Sequence, residues 1–162
     1  MEVLRLVIIL ILTVSSLGWG EGFQGLPWGI TKEKVEELTG YNLSFVDNHT
    51  PRLTAAITEE THEFAGYNAY YCFYFTEPPG NLFAVSVGIR GVDAYSDLIW
   101  LYKRKYEEPD ITGVDSSTWH TGNTLIVLQY ITADDFTLIM YADPVVFGRE
   151  LERDNDERSE DL

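Results

Sequence analysis

The three histidines of this sequence are the side chains best suited to metal binding or acid–base catalysis, and each lies in a different segment. His49 follows Asp47 with one residue between them, His62 directly precedes Glu63, and His120 has no adjacent acid. Zinc sites place their ligands at short, regular spacings that neither pairing shows. A histidine beside a surface acid is usually only solvated, so we expect no metal site and no cofactor.

Signatures of an activated nucleophile or a phosphate-binding loop are missing from the sequence. There is no G-x-S-x-G elbow to expose a serine at a strained turn, and no glycine-rich loop stands before a helix at phosphate-binding spacing. Cys72, the only cysteine, lies in the apolar run YYCFYF, which favours a buried small hydrophobe over a reactive thiol. Catalysis is therefore the weaker hypothesis, and we assign no catalytic residue.

Residues 1–20 have the layout of a secretory signal peptide. Arg5 precedes an apolar run over residues 6–14, and small residues follow. The run is shorter than the ~20 apolar residues that span a bilayer. We expect cleavage after Gly18 or Gly20 and export to the periplasm or the extracellular space, with an uncleaved membrane anchor as the alternative.

The charge of the chain is strongly negative and unevenly distributed. The net charge is −15. The leader contains one acid and one base, so its removal leaves the net charge unchanged. Nucleic acid and anionic lipid need basic patches, so we expect neither as a partner after cleavage. Residues 149–162 contain seven acids and three bases. We predict one domain over residues 21–148 and an acidic disordered tail over 149–162.

Two helices can be located from their ends. The first begins after Thr31, a good N-cap, and closes at Gly40. The second is expected to run from an Asp93 cap to about Tyr106, because Pro109 prevents its continuation.

Alternating and aromatic runs predict the strands. Their expected positions are residues 41–47, 53–58, 69–75, 82–90, 123–131 and 136–143. Prolines and a glycine at 78–80 and acids at 134–135 form the turns of two hairpins. Each half of the chain therefore reads as a helix, a weak strand and a hairpin. We predict an α+β fold, an antiparallel sheet with two short helices on one face, with a possible two-fold helix–β–β(–β) repeat.

Two tryptophans stand at chain corners and are interpreted as structural anchors. Trp28 lies between Pro27 and Gly29, and Trp119 precedes the last hairpin. The stretch FQGLPWGITKEKV resembles the opening of small exported bacterial proteins of unknown function. YKRKYEEP, WHTGNTLIVL and LIMYAD are similar to their second half, although Glu107 stands where those proteins commonly have glycine. The layout also resembles β-lactamase-inhibitor-protein and outer-membrane-assembly lipoprotein folds, which pair helices with a concave sheet.

A tyrosine-lined sheet face is the candidate recognition surface. Alternation places Tyr70, Tyr74, Ser86 and Arg90 on the face away from the helices. Tyrosine combines large contact area with a polar group, so we expect a protein or peptide partner. The alternative for these tyrosines is that they only cover a half-wetted sheet or pack on a loop. The alternative function is a small-ligand or hydrolytic protein with a pocket near Trp119 and His120.

Overall fold

The structure is a computed structural model that describes residues 22–46, 54–76 and 80–160, with side chains to residue 153. The expected signal peptide and its cleavage sites lie outside these residues, as do His49 and the two prolines of the turn predicted at 78–80. The helices are α1 (Lys32–Thr39), α2 (Val92–Tyr106) and α3 (Pro144–Glu160). The strands are β1 (Gly22–Phe23), β2 (Leu26–Pro27), β3 (Leu43–Val46), β4 (Thr54–Thr58), β5 (His62–Phe64), β6 (Tyr67–Phe75), β7 (Leu82–Arg90), β8 (Ile111–Thr112), β9 (Ser116–Thr121), β10 (Thr124–Ile131) and β11 (Phe136–Ala142).

Nine strands form one sheet in which every pairing is antiparallel. The order is β3-β4-β6-β7-β11-β10-β9-β8, with β5 paired to β6, and β1 and β2 form a separate small hairpin. Each half of the chain thus consists of a helix followed by a meander of antiparallel strands. The last strands of the two halves, β7 and β11, pair with each other at the centre of the sheet. The α+β fold is confirmed, and the topology repeats α1 with β3–β7 as α2 with β8–β11.

The main hydrophobic core lies between one face of the sheet and both of the first two helices. Val35 of α1 and Leu98 and Tyr102 of α2 belong to one buried cluster with inward-facing residues of β6 and β7. These are Ala69, Tyr71, Phe73, Phe75, Val85, Val87 and Ile89. The hairpin β1–β2 closes this cluster through Phe23 and Leu26. Both predicted helices therefore pack on one face, which we call the core face.

Local signals placed the helix ends well, with one correction at α2. The Thr31 hydroxyl accepts from the Lys34 N–H, and Gly40 adopts φ 73°, as expected for a cap and a C-terminal glycine. Helix α2 begins one residue before the predicted Asp93 cap, after Gly91, which has no side chain to donate or accept. It ends at Tyr106, and Glu107 adopts φ 68°, the region that favours glycine.

A helix runs through the predicted end of the domain at Gly148 and into the segment predicted as a disordered tail, as far as Glu160. Helix α3 begins at Pro144, where the Asp143 carboxylate accepts from the N–H groups of Val145 and Val146. Glu150 on this helix is buried. The prediction of order ending at Gly148 is therefore corrected, because α3 adds apolar contacts on the opposite side of the sheet, which the sequence pattern did not reveal.

Candidate recognition face

The sheet face opposite α1 and α2, here called the far face, collects the four predicted binding residues. Strand register aligns Tyr74 with Ala84, Cys72 with Ser86, and Tyr70 with Gly88. Because directly paired residues of an antiparallel sheet point to the same side, Tyr70, Tyr74, Ser86 and Arg90 all belong to this face.

The far face is built from three rows of side chains that cross the sheet. The rows follow from the pairings of β4 with β6, β6 with β7, β7 with β11, and β11 with β10. The first row is Ala55, Tyr74, Ala84, Ala142 and Leu125; the second is Ile57, Cys72, Ser86, Met140 and Val127; the third is Tyr70, Gly88, Leu138 and Gln129. None of these fourteen side chains is charged, which is unusual for a sheet face not covered by α1 or α2.

Tyr74 and Ser86 contact each other, whereas Tyr70 and Arg90 are directed to solvent. The Tyr74 hydroxyl lies 3.2 Å from Ser86 Oγ. Burial raises the pKa of Tyr74 to about 12, so its hydroxyl is neutral at physiological pH. Tyr70 is 52% exposed, and Arg90 ends β7 in solvent. Tyr74 and Ser86 therefore shape the floor of the face, and Tyr70 offers an accessible ring.

Cys72 lies between these residues and is not an activated thiol. Its side chain is half-buried, and this desolvation raises the pKa of the thiol. A raised pKa leaves little thiolate at neutral pH, so the side chain contributes apolar surface.

Sequence reasoning missed the half of the far face supplied by β10 and β11. Leu125, Val127, Leu138 and Met140 are half-buried and continue the rows begun by β6 and β7. These strands are apolar on both faces, because Ile126, Leu128 and Ile139 on the other side enter the core. The alternation of side chains along β10 and β11 therefore could not show which of their two apolar sets forms the far face.

A glycine in the third row is covered by an aromatic ring. A Cβ at Gly88 would lie 2.3 Å from Cζ of Phe136. The ring thus lies on the strand backbone in the space that any other residue would fill. This contact extends the apolar surface past Gly88 toward Arg90, the residue paired with Phe136.

Helix α3 covers one border of the far face. Val146 and Phe147 pack against Ala84 and Ala142 of the first row and against Phe83, where the β6–β7 register shifts. Farther along α3, Glu150 Oε1 accepts from Arg149 and Arg153, 3.4 and 3.2 Å away. A helix therefore already packs on the first row, beside the second and third rows.

Trp119 and His120 lie on opposite faces of β9 and cannot line one pocket. Trp119 is 2% exposed, packs 5.5 Å from the ring of Tyr102 and donates to the Glu107 carbonyl. His120 is exposed, and its N–H and Nδ1 lie 2.7 and 3.1 Å from Asp110 Oδ2. The two side chains therefore do not line one pocket together, because successive strand residues point to opposite sides.

Trp28 packs differently from Trp119. It is half-buried against the core cluster, and the carbonyl of Leu82 accepts from the next residue, Gly29. Its indole Nε1 is buried and has no hydrogen-bond partner among the residues that the structure describes. Trp28 therefore covers a chain corner without satisfying its polar group.

The other titratable groups of the described residues lie in separate parts of the fold. His62 stacks on Tyr41 with ring centroids 3.9 Å apart. Tyr102 and Tyr141 form a buried hydroxyl–hydroxyl pair in the core, where burial raises both pKa values. Over residues 22–46, 54–76 and 80–160, no group of three His, Cys, Asp or Glu side chains could hold a metal ion.

Comparison with known proteins gives no assignment. No known protein family, curated protein or solved structure matches this chain. No helix in the described part of the chain is long and apolar enough to cross a membrane. Function is therefore inferred from the far face itself.

Proposed function

We propose that this protein is an exported, non-enzymatic binding module that recognises a protein or peptide through its far face. The observation that carries the proposal is the set of three uncharged rows, apolar for most of their length, on the sheet face opposite α1 and α2. Ile57 and Tyr70 of these rows are exposed, and Leu125, Val127, Leu138 and Met140 are half-buried. A contiguous apolar surface of this kind is typical of interaction sites.

The far face is also suited to binding because its backbone is held rigidly. Strands β6, β7, β11 and β10 each pair on both sides, so no edge is free to shift within the rows. A partner therefore contacts side chains whose backbone positions are set before binding, which lowers the ordering cost of association.

The outer edge of the sheet is a poorer recognition site than its far face. The Leu43 N–H of the edge strand β3 donates to Glu36 Oε1 at 3.0 Å. Lys32 holds the same carboxylate oxygen at 2.8 Å. A carboxylate on the edge blocks the addition of another strand there, so recognition through side chains on the face is favoured.

Three further parts of the proposal come from the sequence. The leader over residues 1–20 supports export, and N-terminal sequencing of secreted protein that begins at Met1 would contradict cleavage. The net charge of −15 supports a partner other than nucleic acid or anionic lipid. No cofactor is proposed.

The binding role is tested by comparing the far face with another exposed apolar site. Val127→Asp puts a charge into the second row, and Val114→Asp changes a valine that is 97% exposed in the loop before β9. Full-length protein, exported through its own leader, is used as bait for the extract of its producing cells. We expect Val127→Asp to lose the partner that wild type and Val114→Asp retain, with all three equally folded by thermal melting. Identical capture by the three proteins would refute the far face as the site.

A further inference from the structure

The borders of the far face carry carboxylates on two opposite sides. At the β3–β4 border, Glu59 Oε1 accepts from Ser44 Oγ at 2.7 Å, and Ser44 is paired with Ile57 of the second row. At the β8–β9 border, Asp110 contacts the His120 ring, and His120 is paired with Leu125 of the first row. An uncharged apolar floor thus runs between two acidic borders.

Glu63 strengthens the first of these borders. It is paired with Asn68 on the far-face side of β5 and is exposed. Arg90 is the one lysine or arginine in strands β3–β11, and it lies beyond the third row, beside Phe136. His120, at the second border, contacts Asp110. Arg149 and Arg153 of α3 share one carboxylate, that of Glu150, on the side of the first row. The second row, away from α3, therefore lies between two borders that favour cations.

This charge pattern selects among the possible occupants of the apolar floor. A second copy of the chain, stacked face to face, would bring two acidic borders and two net charges of −15 together. An anionic lipid surface would be repelled in the same way. A segment with an apolar stripe and basic ends satisfies both the floor and the borders.

The dimensions of the second row favour a helix as that segment. Strands in a sheet are about 4.8 Å apart, so the four steps from Ile57 on β4 to Val127 on β10 cover about 19 Å. The six steps from Ser44 on β3 to Thr118 on β9 cover about 29 Å. At 1.5 Å per residue, these lengths correspond to about 13 apolar-striped residues within a helix of about 19. Helix α3 demonstrates that the adjoining first row accepts helical packing.

We propose that the partner docks a cationic amphipathic helix on the second row, with basic residues at both ends facing Glu59 and Asp110. This inference rests on the proposed function and names the chemistry of its partner. The carboxylates align the helix along the row and raise the rate of encounter, and the apolar stripe supplies the contact that excludes water.

The test uses a synthetic helix-forming peptide of about 19 residues with a leucine stripe and lysines elsewhere. A matched peptide has glutamate in place of every lysine. A third peptide has the same composition as the first, but its leucines are distributed around the helix and form no stripe. Binding to the full exported protein is measured by fluorescence anisotropy at two salt concentrations. We expect the striped lysine peptide to bind, and both matched peptides to bind at least about tenfold more weakly.

Protein variants separate border charge from net charge. Glu59→Gln with Asp110→Asn removes two border charges while keeping side-chain size. Glu33→Gln with Glu37→Gln removes two charges from exposed positions of α1, which packs on the core face. We expect the double variant at the borders to bind the lysine peptide roughly threefold to tenfold more weakly than wild type. The salt dependence of that binding should also be smaller. The control pair is expected to have little effect.

The outcomes distinguish this inference from the proposed function. If both striped peptides bind equally and Val127→Asp abolishes both, the far face binds partners and the cationic preference is overturned. If the two pairs of variants weaken binding equally, the attraction is only that of net charge, and the inference is also overturned. If no peptide binds, the helical partner is refuted, and capture by wild type and Val127→Asp then decides the proposed function separately.

Discussion

The ring of Phe136 lies directly over Gly88, and it occupies the space where any other residue would place its Cβ. The distance from that Cβ position to Cζ of the ring is 2.3 Å, well inside van der Waals contact. The two residues lie on neighbouring strands, since Phe136 pairs with Arg90 and Gly88 with Leu138. The central strands of the far face are thus joined by an aromatic–glycine contact.

We expect Gly88→Ala to displace the Phe136 ring and to destabilise the protein by about 1–3 kcal/mol, as overpacking does. Urea denaturation of the purified protein measures this loss. The matched background is Phe136→Leu, which removes the ring. In that background Gly88→Ala should cost less, so the two changes should be non-additive. Equal costs in both backgrounds would mean that the ring does not restrict this position.

The two anchor tryptophans should respond unequally to replacement by phenylalanine. Trp119→Phe loses a buried ring segment and the donor to the Glu107 carbonyl, so we expect a loss of roughly 2 kcal/mol. Trp28→Phe removes an N–H that has no partner in the described part of the chain, from a half-buried ring. Its cost should be below about 1 kcal/mol, because losing an unsatisfied buried donor offsets part of the lost area. Urea unfolding of both variants in parallel checks the order, and a larger loss at Trp28 would contradict it.

Alkaline pH should destabilise the fold through its buried tyrosines. Burial raises the pKa of Tyr106 to about 12, and it raises the pKa of Tyr102 and Tyr141 in the core as well. In the unfolded chain these groups ionise near pH 10. The folded state therefore holds protons that the unfolded state releases. The stability from these groups is complete below about pH 10 and is lost as the pH rises through the folded pKa values.

The measurement is the urea midpoint as a function of pH, with phenolate absorbance followed on the same samples. The midpoint should fall steadily between about pH 10 and pH 12. Tyr106→Phe should fall less steeply, since one of the shifted groups is gone. A midpoint that stays constant through this range would show that the tyrosines are accessible to hydroxide in the folded state.

Helix α3 should stabilise the protein through its first turns rather than through its acidic end. Phe147→Ala removes a ring packed on Ala84 and Ala142, and we expect a loss of roughly 2 kcal/mol for this half-buried side chain. Deletion of residues 154–162, which contain a single apolar side chain, Leu162, should leave the thermal midpoint nearly unchanged. A fall of more than about 4 °C on that deletion, equivalent to roughly 1 kcal/mol, would show that the acidic end docks.

Part of the candidate site could be recognised without coordinates. Strong alternation in β7 and the aromatic run of β6 were enough to place Tyr70, Tyr74, Ser86 and Arg90 on one face. Their joint position depends only on hairpin pairing, a local property of adjacent strands. The partner rows on β11 and β10 could not be derived in this way, because β7 and β11 are neighbours through a long-range pairing across α2.

The sequence also did not show that Trp119 and His120 point to opposite sides of one strand. Adjacency in sequence suggested adjacency in space, but a strand separates consecutive side chains onto opposite faces. Recognition of residues 116–121 as a strand would have separated the two side chains at once. The segment SSTWHT is rich in small polar residues and followed a proline corner, so its pairing with β10 was not apparent.

The sequence by itself determined the features that depend on near neighbours in the chain. Thr31 and Gly40 mark the ends of α1, Pro109 limits α2, and the paired apolar runs define an α+β fold with antiparallel hairpins. The tertiary structure alone decided that β7 joins β11, that α3 packs on the far face, and which apolar sets enter the main core. The sequence of a central strand that is apolar on both sides does not show which side faces the core. Only the positions of α1 and α2, set by long-range packing, assign one of the two faces to the core.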